Sequence, residues 1–196
     1  MTEPGLRERK KQATRRALRK AALRLALERG TEGLTVEEIS AVADVSPRTF
    51  FNYFSCKEDA LVGEDPEADA EVAEAIRARP AAESPLRSMR VVLKEIAAMH
   101  SAHANRDDML ARQRLVRENP SLLPRQLARY AAFERTLAQA VAERIGVDGE
   151  RDPYPSLLAA VAVTMVRVAM HRWTTERGRG PEEYLDEAFD LLERGL

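Results

Sequence analysis

Three polar side chains at helical spacing carry groups that could recognise the base edges of DNA. Arg48, Thr49 and Asn52 occupy positions i, i+1 and i+4 of a short predicted helix, so they lie on one side of it. Arginine and asparagine suit the acceptors of purines or a phosphate, and threonine can contact a thymine methyl group or a base edge. The pattern indicates a surface that reads double-stranded DNA.

Two short predicted helices position that surface. Thr35 and Glu38 fit the S/T-x-x-E capping box, which predicts the start of the first helix. A tight turn over residues 43–45 leads to Ser46, a predicted N-cap, and to Pro47, which suits the first helical position because proline lacks an N–H. Two short helices joined in this way predict a helix-turn-helix, whose second helix enters the major groove.

The distribution of charge agrees with this prediction. The formal net charge is only -1, yet nine of the first 24 residues are Lys or Arg, against Glu3 and Glu8. A basic end on a nearly neutral chain is typical of a module that binds phosphates. We expect a basic arm over residues 1–8 and then a long helix, whose Thr14 and Arg15 are candidate phosphate contacts. The alternative for the basic end taken alone is a solvated helix face.

The motifs of residues 9–61 resemble the tetracycline-repressor (TetR) family of one-component bacterial regulators. They are LTVEEIS, ADVS, RTFFNYF and KEDAL, in this order. Asp44 stands where the family usually has a turn glycine, which aspartate can replace because it tolerates left-handed backbone angles. Cys56 separates Ser55 from Lys57, where the family often has Ser-Lys or Asn-Lys.

The resemblance implies roles for individual residues. Tyr53 would contact a phosphate through its hydroxyl, and Lys57 would donate to a phosphate at a helix start, while Arg48, Thr49 and Asn52 would contact bases. The alternative for Tyr53 is a partly buried core tyrosine. The predicted DNA-contacting set is Thr14, Arg15, Thr35, Pro47, Arg48, Thr49, Asn52, Tyr53 and Lys57.

The neighbouring phenylalanines are expected to hold the module together. At least two of Phe50, Phe51 and Phe54 should pack into the core of a three-helix domain, and the core position is the expectation for all three.

Composition favours an all-α fold for the 196 residues. Hydrophobic residues make up 44%, charged residues 32% and aromatic residues 5%, which suits amphipathic helices. We predict a helix-turn-helix DNA-binding domain with its basic arm over residues 1–56, and a helical-bundle domain for effector binding and dimerisation over residues 57–196. The predicted helices of the second domain are 67–79, 85–104, 107–118, 121–145, 156–177 and one from 181 onward.

The last two predicted helices are apolar over more than one face. In the TetR family the corresponding pair forms a four-helix interface with a twofold mate, which implies a homodimer on a palindromic operator. The alternative is that both faces are buried within one subunit. The predicted interface residues are Leu158, Val161, Met165, Val168, Arg172, Trp173, Ala188, Leu191 and Leu192.

The same resemblance implies a small, largely apolar effector that binds among the helices of the second domain. Stripes of methionine and aromatic residues at helical spacing also form ordinary cores, so this alternative stays open. The predicted pocket residues are Met89, Leu93, Ile96, Met99, His100, His103, Met109, Gln113, Tyr130, Phe133 and Met165.

Two further groups could carry chemistry. His100 and His103 stand at i and i+3, which could place both on one metal, but lining of a pocket or a solvated helix end is the favoured interpretation. Cys56 could sense oxidation, but a structural thiol is the alternative. We expect no cofactor or resident metal.

The remaining composition bears on the class of protein and its compartment. No Gly-rich phosphate loop, nucleophile elbow or Glu-x-x-His carboxylate-metal motif is present. A single cysteine, no evident secretion signal and no apolar run of about 18 residues favour the cytoplasm and no membrane contact. The sequence therefore indicates a DNA-binding transcriptional regulator, more in keeping with a repressor. A helical metalloenzyme and a protein-interaction module are the rival hypotheses.

Overall fold

The computed structural model describes residues 5–63, 65–103 and 106–195, except for the side chains of Glu8 and residues 100–103. Its regular structure in these residues is helical, which confirms the all-α prediction. The helices are α1 Leu6–Arg29, α2 Val36–Val42, α3 Pro47–Phe51, α4 Lys57–Val62, α5 Pro66–Arg77, α6 Pro85–His103, α7 Arg106–Glu118, α8 Leu123–Ile145, α9 Pro153–Thr175 and α10 Pro181–Arg194, with a 3-10 turn at Pro120–Leu122.

Helix boundaries differ from the sequence-based ones mainly at the starts. The first helix begins at Leu6, within the stretch expected to be an unstructured arm, whose residues 1–4 lie outside the described residues. Helix α9 begins at Pro153, three residues earlier than predicted. There Asp152 acts as N-cap, because its carboxylate accepts from the Tyr154 amide at 2.9 Å.

The first compact unit contains Met1–Glu64 together with Leu110–Leu127. Its core is an apolar cluster to which α1, α2, α3 and α4 contribute, and to which the later segment adds two leucines. The fully or nearly fully buried members include Leu18, Ile39, Phe50, Leu61, Leu115 and Leu122. A functional boundary between residues 56 and 57 stays a prediction; the contacts place α4 in this first unit.

The second unit contains Asp65–Met109 and Ala128–Leu196. Helices α5, α6, α8, α9 and α10 build its core, in which α10 packs closely against α6 and α9. At one edge, the Arg144 guanidinium donates to the carbonyls of Arg79, at 2.7 Å, and of Pro80 and Glu83, beyond the end of α5. This arginine therefore satisfies backbone acceptors of the loop that joins α5 to α6.

Helix α9 is the central element of the second unit. By length and apolar composition alone it is the one helix among the described residues that could cross a membrane, a test that core helices of soluble proteins also pass. Its side chains Ala159, Ala162 and Ala169 are buried at 2% exposure or less, as expected where another helix packs closely against it.

Candidate nucleic-acid interface

The second helix of the helix-turn-helix, α3, presents polar side chains to solvent. Ser46 caps it, since its hydroxyl oxygen accepts from the Thr49 amide at 3.1 Å and lies 2.9 Å from the Thr49 hydroxyl. Pro47 occupies the first helical position and is exposed, as are Arg48 and Asn52. The cap therefore fixes the helix start while the side chains suited to base contact remain accessible.

Phe51 differs from the other two phenylalanines of this segment. Phe50 is completely buried and Phe54 is 3% exposed, whereas Phe51 is 57% exposed. Its ring meets Phe50 edge to face, with centroids 5.6 Å apart. The expectation that at least two of the three rings enter the core is confirmed, and a core position for Phe51 is wrong. Position 51 lies three residues after Arg48, so helical spacing alone places it on the exposed face.

The turn and the first helix form as their sequence predicts. Asp44 has φ of 55°, the left-handed conformation that its side chain tolerates. Thr35 and Glu38 form a complete capping box, in which the Thr35 amide donates to the Glu38 carboxylate at 3.1 Å and the Glu38 amide to the Thr35 hydroxyl at 3.2 Å. The hydrogen bonds from the Thr35 amide and hydroxyl, and then the charge of Arg29, lower the pKa of Glu38.

Arg15, predicted to contact a phosphate, is instead buried. It is 4% exposed, and its guanidinium carbon lies 5.7 Å from the ring centroid of Tyr53 and 5.3 Å from that of Phe54. A cation over aromatic faces stabilises the packing of the rings. Tyr53 is half-buried against the core cluster, and the Thr14 hydroxyl donates to the Lys10 carbonyl at 3.0 Å.

Lys57 also makes internal contacts. Its ammonium donates to the backbone carbonyls of Thr31 at 3.0 Å, Glu32 at 3.3 Å and Leu34 at 2.8 Å, all in the segment between α1 and α2. A lysine that contacted a phosphate would be expected to direct its ammonium to solvent. Sequence reasoning missed these contacts because no local pattern links residues so far apart.

The Cys56 thiol is partly buried at the start of α4. Burial raises its pKa to about 11, and this outweighs the hydrogen bond from the Asp59 amide, which acts in the opposite direction. The thiol therefore stays protonated at neutral pH, which is the opposite of the thiolate that an oxidation sensor needs.

The later segment of the first unit holds α4 through polar contacts. The Arg112 guanidinium donates to the carbonyls of Ala60, at 3.0 Å, and Leu61, near the end of α4. Arg125 lies 3.5 Å from the carboxylate of Asp59, whose side chain is only 5% exposed. A buried carboxylate requires such a partner, so α4 is fixed by residues that follow it by some 50 positions or more.

Comparison with known proteins identifies the family. Residues 18–62 match the model described as bacterial regulatory proteins of the tetR family, and residues 83–196 match that of the MftR C-terminal domain. The HTH-type transcriptional regulator TcmR of Streptomyces glaucescens is 37% identical over 174 residues, or 87% of this chain and 77% of that protein. The chain belongs to the TetR family. It is thus a DNA-binding transcriptional regulator and not an enzyme.

Solved structures agree with this assignment of the TetR fold. FadR of Thermus thermophilus, a TetR-family repressor in complex with lauroyl-CoA, is 25% identical, with a TM-score of 0.50 over 93% of this chain and 94% of that one. NalD of Pseudomonas aeruginosa, a secondary repressor of a multidrug efflux pump, is 18% identical, with a TM-score of 0.56 over 94% and 97% of the two chains. The second similarity concerns the fold alone.

Most residues predicted to line the effector pocket of this TetR-family chain belong to one apolar cluster of the second unit. Met89, Leu93 and Met165 are buried in it, and Ile96, Met109, Tyr130 and Phe133 pack against it. Met99 is 45% exposed. Gln113 belongs to the first unit, and the side chains of His100 and His103 lie outside the described residues.

Two surface depressions of the second unit lie elsewhere. One is lined by residues of α6 and α10, among them Arg87, Arg90 and Glu193, and the other by charged residues that include Arg179 and Asp186. Neither contains a predicted pocket residue. Within the described part of the chain, no three His, Cys, Asp or Glu side chains are grouped as a metal would require.

The residues predicted to form the TetR dimer interface divide into two groups. Leu158, Met165 and Trp173 are 6–7% exposed and instead belong to the core of the second unit. The others lie at or near the surface: Val161, Val168, Arg172, Ala188, Leu191 and Leu192. Helix α9 additionally exposes two apolar side chains that were not among the predicted interface residues, Tyr154 at 42% and Leu157 at 65%.

Arg172 is engaged within its own unit. Its guanidinium carbon lies 4.7 Å from the ring centroid of Tyr184, and it pairs with Glu176 at 2.9 Å and Glu187 at 3.2 Å. The hydrogen bonds with these two carboxylates raise the pKa of Arg172. This arginine therefore links α9 to α10 at the margin of the exposed apolar residues.

Proposed function

We propose that this TetR-family regulator is a repressor that binds a palindromic operator as a homodimer and is released by a small, largely apolar effector. The observation that carries the DNA-binding part is the exposed side of α3, where Arg48, Phe51 and Asn52 share one face at i, i+3 and i+4. Arg48 and Asn52 would hydrogen-bond purine edges, and the Phe51 ring would contact a thymine methyl group.

Phosphate contacts would set the position of this helix in the major groove. The Tyr53 hydroxyl and Thr35 remain candidates, since they lie at or near the ends of helices of the module. Thr14, in the interior of α1, is the third candidate. The exposed lysines and arginines of α1 add an electrostatic attraction that does not depend on base sequence. Arg15 would act differently, by holding Tyr53 and Phe54 through its guanidinium.

A homodimer would present two copies of α3 to successive major grooves. Tyr154, Leu157, Val161 and Val168 follow one another along α9 at intervals of three, four and seven residues, which makes them one stripe. Leu191, which is 46% exposed, adds a surface on α10. A pair of such helices from each subunit would bury the stripe and set the half-sites about 34–36 Å apart.

The effector would bind within the apolar cluster of the second unit. Met89, Met109, Tyr130 and Phe133 supply polarisable and aromatic surface there, and methionine-rich surfaces repack readily around ligands. Similarity to FadR, which binds lauroyl-CoA, supports a partly apolar effector. Binding would favour a state in which the two copies of α3 no longer match the operator spacing. The site of action would be the cytoplasm, where a regulator meets its DNA.

Fluorescence anisotropy on the DNA upstream of the chain's own gene tests the proposal. Wild-type protein should bind the native duplex at least 100-fold more tightly than a scrambled duplex of equal length at physiological salt, by the usual range of specificity. Arg48→Ala should cost about 1–3 kcal/mol on the native duplex and little on the scrambled one. Equal, weak binding to both duplexes from several upstream regions would refute the proposal. Candidate effectors are then screened by release of the labelled duplex.

A further inference from the structure

The contacts of Lys57 suggest a role other than the phosphate contact that the family resemblance implies. We propose that Lys57 is a positioning residue, whose ammonium holds the two ends of the helix-turn-helix together and so fixes the placement of α3. This inference rests on the DNA-binding function proposed above. It concerns how the module is held and not which bases it reads.

All three N–H donors of the Lys57 ammonium are used within the protein, which leaves none for a DNA phosphate. A lysine ammonium has three N–H donors, and three backbone carbonyls lie within 3.3 Å of the Lys57 nitrogen. To reach a phosphate it would have to give up at least one of them. Two of the carbonyls belong to buried residues, Thr31 at 7% and Leu34 at 3% exposure, and a buried carbonyl without a partner is costly.

The shortest of these bonds closes the module on itself. Leu34 directly precedes the Thr35 cap of α2, and Lys57 is the first residue of α4. The bond between them, at 2.8 Å, joins residues 23 positions apart, so that α2, the turn and α3 all lie inside the closed segment. Closing a segment of this length restricts the arrangements open to the helices within it.

The segment that Lys57 holds is fixed from a second side. The Thr31 hydroxyl donates to the side-chain oxygen of Asn119 at 3.0 Å, and the Asn119 amide group donates in turn to the Leu115 carbonyl at 2.7 Å. The segment between α1 and α2 is thus held by α4 and by the end of α7. Loss of the ammonium would release one of these two anchors, at the point where α2 begins.

A salt series separates this role from a phosphate contact. For each phosphate that a protein charge neutralises, the slope of log K against log salt changes by about 0.9. The test compares Lys57→Met, which keeps the aliphatic stem, with Lys20→Met, an exposed lysine of α1. Three quantities are measured on each folded protein: the Tm, the salt slope on the native duplex, and the ratio of affinities for the native and scrambled duplexes.

We expect Lys57→Met to lower the Tm by about 3–8 °C, as the loss of charge-assisted hydrogen bonds would in a chain of this size. The salt slope should stay within about 0.3 of the wild-type value, well below the change for one phosphate. The native-to-scrambled ratio should fall roughly threefold to tenfold, because a displaced α3 makes poorer base contacts. Lys20→Met should leave the Tm and the ratio unchanged.

Three results would overturn the inference. A slope smaller by about 0.9 per subunit would make Lys57 a phosphate contact after all. A lower Tm with an unchanged affinity ratio would make it a fold-stabilising residue without a positioning role. An unchanged Tm and an unchanged affinity ratio would show that the three hydrogen bonds to the carbonyls contribute neither to stability nor to base recognition. If wild-type protein fails to prefer the native duplex, the proposed function fails, whereas the Tm of Lys57→Met still reports whether the ammonium holds the segment.

Discussion

Adjacent phenylalanines in α3 should respond in opposite ways to truncation. Phe50 is fully buried, and removal of a buried phenylalanine side chain typically costs about 3–5 kcal/mol. Phe51 is 57% exposed, so less than half of its surface is withdrawn from water. Since complete burial of such a side chain is worth about 1.5–3 kcal/mol, Phe51→Ala should cost about 1 kcal/mol of folding free energy.

The loss of DNA affinity should follow the opposite order from the loss of folding free energy, because Phe51 is the ring proposed to contact the bases. A thymine methyl contact made by Phe51 should contribute on the order of 1–2 kcal/mol to base recognition, or about a 5- to 30-fold change in Kd for the native duplex. The salt slope should not change, because phenylalanine carries no charge. Phe51→Tyr, which keeps the ring, serves as the matched control and should retain most of the affinity.

Thermal unfolding followed by circular dichroism, together with anisotropy well below the Tm, gives both quantities. In a chain of this length about 1 kcal/mol corresponds to 2–4 °C, so Phe51→Ala should lose roughly 2–4 °C and Phe50→Ala at least about 6 °C. The reasoning is refuted if Phe51→Ala unfolds as early as Phe50→Ala, which would mean that the ring belongs to the core. It is equally refuted if Phe51→Ala binds the native duplex as tightly as wild type.

Other predictions concern assembly, the thiol and pH. Leu157→Glu should give a monomer by light scattering without loss of helicity, whereas Leu158→Glu should unfold the second unit; a dimer that survives the first change contradicts the proposed α9 interface. Cys56, whose pKa is raised by burial to about 11, should react with a disulfide reagent about tenfold faster for each pH unit above 8 in the folded protein; fast reaction at pH 7 would contradict its burial. Because the pKa of Glu38 is lowered in the folded state, its stabilisation is present above the usual glutamate value and is lost as the pH falls through and below about 4.3. Thr35→Ala should therefore destabilise the protein at pH 7, and a difference from wild type that does not shrink in acid would argue against the capping box.

Local chemistry made the helix-turn-helix predictable from the sequence. A capping residue and its partner three positions away, such as Thr35 and Glu38, must satisfy the same few amides wherever the helix lies in the fold. The Ser46 cap, Pro47 at the first position and left-handed Asp44 follow the same logic. Each depends on neighbours within four residues, which the sequence specifies directly.

Long side chains and helices apolar on several sides were harder to predict. Arg15 and Lys57 can each reach several partners, and tertiary packing directs Arg15 over aromatic rings and Lys57 toward carbonyls that are distant in sequence. In α9, both Leu157 and Leu158 are apolar, so hydrophobicity does not indicate which one faces the core. Only tertiary packing within the second unit decides that Leu158 is buried and Leu157 exposed.

The contribution of residues 110–127 to the first unit has a consequence for synthesis on the ribosome. Leu115 and Leu122 complete the core around Leu18 and Leu61, yet they are translated long after residue 64. At about 5–20 residues per second, the ribosome needs roughly 3–13 s to proceed from residue 64 to residue 127. During that interval the nascent DNA-binding module exposes apolar surface that only a later part of the chain can cover. We therefore expect the emerging chain to bind chaperones, and a fragment that stops at residue 64 to aggregate instead of acting as a minimal DNA-binding domain.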